Sequence, residues 1–109
     1  MKPHCEVVVY HVLPTIRAMV AKELIEKYGF TQKDAAMKMG LTQPAISQYY
    51  KNARGHNTKI LESNKEISRM IDAISEGLAK NTIDIGKAAM MFCEICDEVQ
   101  KSDILPRIS

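Results

Sequence analysis

The stretch from Thr31 to Lys51, TQKDAAMKMGLTQPAISQYYK, constrains the fold more than any other part of the chain. Thr31 is a good N-cap, and Asp34 stands three residues on, where an acidic side chain can reach back to the cap. A helix is expected from Gln32 to about Met39. Gly40 follows where that helix must stop, because glycine tolerates a left-handed backbone. Thr42 is placed to cap a second helix, in whose first turn Pro44 is permitted. Ala36 is small enough for close approach of the two helices, and Leu41, Ile46 and Tyr49 supply apolar contacts between them. Helix, tight turn and second helix at this spacing form the helix-turn-helix pattern.

At 3.6 residues per turn, the second helix divides into two sides. Ala45, Ile46, Tyr49 and Tyr50 fall on one side, and Pro44, Ser47, Gln48 and Lys51 on the other, with Gln43 at the exposed N-terminal end. Side-chain amides match the hydrogen-bonding edge of adenine, and serine can serve either partner of a base pair. A merely solvated helix face more often carries glutamate and lysine. The row therefore points to contacts with base edges. Arg54, just past this helix, is placed to meet the DNA backbone.

Charge is distributed in the same sense. Residues 31–59 hold five basic residues and one acidic residue, whereas residues 60–109 hold six basic and nine acidic. Positive charge is thus concentrated on the proposed reading head, where phosphates would need it. No apolar run is long enough to span a bilayer, and no secretory signal appears, so no membrane partner is expected. Three cysteines in a chain without an export signal argue against a disulfide scaffold and for a reducing, cytoplasmic setting. The chain has no Ser/His/Asp set, phosphate-binding glycine loop or helical H-E-x-x-H, so enzyme activity is not expected.

The rest of the chain also reads as helical. Val7 to Val9 has strand propensity, but Cys5, Val8, Val9, Val12 and Ile16 follow helical spacing, with a kink or interruption expected at Pro14. Residues 15–28 form a full helix, Thr15 to Tyr28, in which Ile16, Val20, Leu24 and Tyr28 should pack against the helix pair. Residues 53–58 read as a loop. Ser63 and Glu66 have capping-box spacing, and Ile67, Ile71, Ile74 and Leu78 then form a narrow seam resembling that of a coiled coil. Such a seam needs a partner helix, from the same chain or from a second copy, and a homodimer built on it and on the last helix is expected. Thr82 is placed to cap that last helix, from about Ile83 to Gln100, and residues 102–109 read as a short tail.

Cys93 and Cys96 form a C-x-x-C pair on one helix, so their sulfurs could bind one ion. With Cys5 they could hold zinc or an iron–sulfur cluster, or form a redox site. Three thiolates fall one short of a four-ligand site, and His4, His11, Asp97 or a second chain could complete it. The alternative is that the cysteines are small hydrophobes in the core; on the helical wheel Cys96 lies in the middle of the apolar stripe, as a core residue would, and Cys93 at its edge, as suits a ligand or reactive thiol.

The segments HCEVVVYHVLP, IRAMVAKELIEKYGFTQKDAA, LTQPAISQY and the late FCEIC resemble small archaeal helix-turn-helix regulators with a DNA-binding domain of the phage-repressor (Xre) type. Similar segments precede the ligand-binding part of archaeal thiamine-responsive regulators. The resemblance implies that Gln32 supports a phosphate contact and orients Gln43, and that Gln43, Ser47 and Gln48 face base edges. The cysteine pattern of the family is matched by Cys5, Cys93 and Cys96. The expected fold is all-α, a helix-turn-helix domain over residues 1–58 and two additional C-terminal helices over residues 59–109 that pack on it and dimerise. The expected function is a homodimeric, sequence-specific regulator of transcription on double-stranded DNA, with a response to metal, cluster or redox state through the cysteines as a further expectation. The competing function is a protein-interaction module or antitoxin-like partner that binds protein through the helix pair.

Overall fold

The computed structural model describes residues 8–102, Ile104 and Ile108, with the side chains of residues 8 and 9 excepted. The described chain is all-α: a single π-helical turn, Val8–Val12, followed by α1 (Leu13–Glu26), α2 (Gln32–Met39), α3 (Gln43–Lys51), α4 (His56–Glu62), α5 (Lys65–Ala79) and α6 (Ile85–Lys101). No described helix is long and apolar enough to cross a membrane.

The interruption expected at Pro14 takes the form of the π turn. Proline lacks an N–H and its ring crowds the carbonyl four residues back, and the wider turn before it avoids both problems. Thr15 is not a cap here. Its hydroxyl donates to the carbonyl of His11 at 2.6 Å, inside a helical run that passes continuously from the π turn into α1.

Helix α1 is the pillar of the fold. Val12, Ile16, Val20 and Leu24 lie four residues apart on one stripe and are fully buried, while Tyr28 is half-buried. Each of the large aliphatic side chains stabilises the fold by about 1.5–3 kcal/mol. Every later helix packs against α1, with α3 and α5 the most extensively in contact.

Four sequence expectations are corrected by the structure. Residues 53–58 are not a loop throughout, because α4 begins at His56. Its Gly55 N-cap makes no side-chain hydrogen bond, and the short helix is held by its buried residues Thr58, Ile60 and Leu61. The cap of α5 is Asn64 and not Ser63: the Asn64 side chain accepts from the Ile67 N–H at 3.0 Å. Likewise α6 is capped by Asp84 and not Thr82, with Asp84 Oδ1 accepting from the Lys87 N–H at 2.8 Å. The stretch after α6 is more than a tail, since Ile104 and Ile108 are buried in the same core.

The seam of α5 is also corrected. Ile67, Ile71, Ile74 and Leu78 are each 2% exposed or less within the single chain. Helix α5 packs on α1, α4 and α6, so the partner that the narrow stripe needs comes from the same molecule. That stripe has no surface left to offer a second copy. A boundary after residue 58 falls inside α4, and buried residues from both sides of it form one core.

One polar contact crosses the interface between α1 and α5. Glu23 meets Asp72 and Ser75, and its Oε1 is buried with no hydrogen-bond partner. Burial first, and then the hydrogen bond and negative charge of Asp72, push its carboxyl up to about 7, against the lowering effects of Ser75 and Lys27.

Candidate nucleic-acid interface

The local geometry of residues 31–52 follows from four residues. The Thr31 side chain accepts from the Asp34 N–H at 3.0 Å and fixes the start of α2. Gly40 ends that helix at φ +67°, with its own N–H bonded back to the carbonyls of Ala36 and Met37. The Leu41 N–H also reaches the Ala36 carbonyl, at 2.9 Å, and closes the turn. A Cβ at Gly40 would lie 2.9 Å from Ile85 Cδ1, so glycine also lets α6 approach closely. Thr42 Oγ1 accepts from the Ala45 N–H at 3.3 Å, and Pro44 occupies the first turn of α3. Lys38 of α2 donates to the Asn81 side chain in the turn between α5 and α6. The caps, the turn and these cross-contacts hold the two short helices in one arrangement.

Helix α3 is seated by one fully buried residue, Ile46, with Ala45, Tyr49 and Tyr50 half-buried beside it. Gln43, Pro44, Gln48 and Lys51 are exposed, and Ser47 among them is half-buried. The structure thus brings the five expected residues of α3 together in one outward row. Gln32 lies at the start of α2 and is half-buried.

Arg54 has a different setting from the one expected. Its guanidinium Nη2 stands 3.0 Å from Glu26 Oε2, the same oxygen that accepts from the Tyr50 hydroxyl at 2.8 Å. The hydrogen bonds from Tyr50 and Arg54 hold the Glu26 carboxyl below its usual range, and the same contacts raise Arg54 and Tyr50. Arg54 therefore ties the exit of α3 to the end of α1, and is a positioning residue for α3 as well as an exposed cation. Glu26 and Tyr50 belong to the support of this face and were not singled out from sequence. Their contact spans 24 positions, so no local pattern could reveal it.

Two of the three cysteines, Cys93 and Cys96, lie among the described residues. Cys93 is exposed and Cys96 is buried, although both are carried on α6. Burial above all, with Cys93 and Asp97 adding to it and Arg17 opposing, pushes the Cys96 thiol up to about 11. Among the described residues no group of three or more His, Cys, Asp and Glu side chains is arranged to hold a metal ion. Cys5 and His4 lie outside the described residues. In folded protein dilute enough that copies of the chain do not meet, Cys93 is expected to react with a maleimide within minutes, with Cys96 modified only on unfolding; mass spectrometry of digested protein distinguishes the two. Equal labelling of both thiols without denaturant would contradict the placement of Cys96 in the core.

No protein-family model matches the chain, and no curated protein or solved structure matches it significantly.

Proposed function

We propose that this chain is a sequence-specific DNA-binding regulator of transcription that reads duplex DNA with the outer face of α3. The observation that carries the reading is the row Gln43, Ser47, Gln48 and Lys51 on a short, doubly anchored helix. The caps at Thr31 and Thr42 and the Glu26–Arg54 contact fix its angle, and base readout needs side chains held in register. Gln43 and Gln48 contact base edges, Ser47 either edge, and Lys51 the phosphates. Gln32, at the start of α2, supports a phosphate contact. Arg54 keeps α3 in place and offers its outer edge to the backbone. Two such heads in a homodimer read two half-sites about 34–36 Å apart.

The resemblance of residues 31–51 to phage-repressor domains supports this reading, as does the basic balance of residues 31–59. The competing protein-interaction module would bind through the same helix pair without the steep salt dependence of duplex binding. On a site selected from random duplexes, Gln43→Ala or Gln48→Ala is expected to cost about 1–3 kcal/mol and to relax base choice locally. Lys51→Ala should weaken all sequences alike. Three variants that bind the selected site as tightly as the unmodified protein would reject α3 as the reading helix.

A further inference from the structure

The outward side of α6 has features that packing within one chain does not explain. The helix buries Ala88, Ile95, Cys96 and Val99 against the core. Gly86, Ala89, Met90 and Cys93 stand exposed on the opposite side, close to one stripe of helical spacing. Met90 is 63% exposed and Ile85, at the start of the helix, 47%. Met37 of α2 is 70% exposed and lines a groove together with Ile85. Of these, Met90 lies on the stripe of Gly86 and Cys93, whereas Ile85 faces α2 beside Gly40.

Gly86 adds an independent observation. A Cβ there would meet nothing nearer than Asp84 Oδ1 at 3.5 Å, so the chain itself has room for a side chain. At Gly77, by contrast, a Cβ would strike Ile83 at 2.8 Å. Glycine in a helix is less stable than alanine, and the approach of another backbone is one of the few uses that offsets this.

Charge identifies what approaches. Lys87 lies near the N-terminal end of the exposed side, and Glu94 and Asp97 lie further along it. Two copies of α6 crossing antiparallel about a two-fold axis near Met90 would bring Lys87 of each against Glu94 and Asp97 of the other. The apolar residues Ala89, Met90 and Cys93 would then meet at the centre. The same patch serves both partners, as a closed two-fold contact requires, and the macrodipoles of the two helices oppose each other favourably. We propose that the outer face of α6, from Gly86 to Asp97, docks a second copy of this chain in antiparallel orientation. The contact gives the DNA-binding reading its second reading head, and for that purpose it rests on that reading; the contact itself is tested without DNA.

Sedimentation velocity of the purified chain across a concentration series reads the contact directly. The unmodified protein is expected to be dimeric at about 50 µM, and Met90→Glu to weaken the dimer by about tenfold or more without changing its circular dichroism melt. Lys87→Glu and Glu94→Lys should each weaken it by about fivefold, and the combined variant should recover most of the loss, because both charges are reversed across the same contact. The charge variants lie at exposed positions, so they carry the test even if Met90→Glu perturbs the fold. An unmodified chain that is monomeric at about 100 µM, or a combined variant no stronger than the single ones, would overturn the proposal. A dimer that binds no duplex would reject the DNA-binding reading and leave this face standing. A chain that binds duplex as a monomer would do the reverse.

Discussion

Replacing Ile71 and Ile74 together by glutamate is expected to unfold the chain, not to release folded monomers from a dimer. Both side chains lie in the core at 1% and 0% exposure, between α5 and the helices that cover it. Truncating one buried isoleucine costs about 2–5 kcal/mol, and a glutamate in its place must also be desolvated or stay protonated. Two such changes approach or exceed the total stability of an ordinary domain, about 5–15 kcal/mol. Far-ultraviolet circular dichroism of the double variant should show loss of helix and no cooperative thermal transition. A well-folded monomer with a sharp melt would mean that the seam is not held by its own chain.

Glu23→Gln is expected to stabilise the protein above neutral pH and to change little in acid. Folding raises the carboxyl of Glu23 from 4.5 to about 7, so the folded state favours its neutral form. The sign follows from linkage: this contribution to stability is fully present below about 4.5 and is lost as pH rises through about 7. Above that range the carboxylate must coexist with Asp72, and Lys27 offsets only part of the repulsion. Glutamine keeps the shape and a hydrogen-bonding group without the charge. The side chain is only half-buried, so solvent screens part of the effect, and a gain of about 1–2 kcal/mol at high pH is a reasonable magnitude. Urea unfolding of both proteins across the range from acid to mildly alkaline pH should give curves that diverge as pH rises. Stabilities that remain parallel throughout would show that Glu23 is solvated as well in the folded chain as in the unfolded one.

The parts of the fold that were legible in the sequence are those fixed by local chemistry. Thr31, Gly40, Thr42 and Pro44 act on backbone groups within a few residues, so the bounds of α2 and α3 could be read directly. The stripe of α1 was legible because its apolar residues recur at helical spacing. Helix α4 was not, because His56, Asn57 and Thr58 favour helix weakly and Gly55 gives no side-chain cap; Ile60 and Leu61 hold it only once α1 and α5 are in place. Ser63 and Asn64 are adjacent and chemically alike, and sequence spacing favoured the one that does not cap. For the seam of α5, periodicity showed that a partner was needed but not which chain would provide it.

At the candidate interface, the outward row on α3 followed from helical periodicity, and the structure leaves those residues on one face. What pattern could not show was the commitment of Arg54 to Glu26, 28 residues away in sequence. The division of Cys93 and Cys96, by contrast, was legible: helical periodicity puts Cys96 within the apolar stripe of α6 and Cys93 at its edge, and the structure buries the first and exposes the second.

Base readout by α3 is tested by competition between a duplex selected from a random pool and a scrambled duplex of the same composition, followed across a salt titration. The selected duplex is expected to bind at least about a thousandfold more tightly, with affinity for both falling steeply as salt rises. Equal affinity for the two duplexes, or binding that is insensitive to salt, would contradict it.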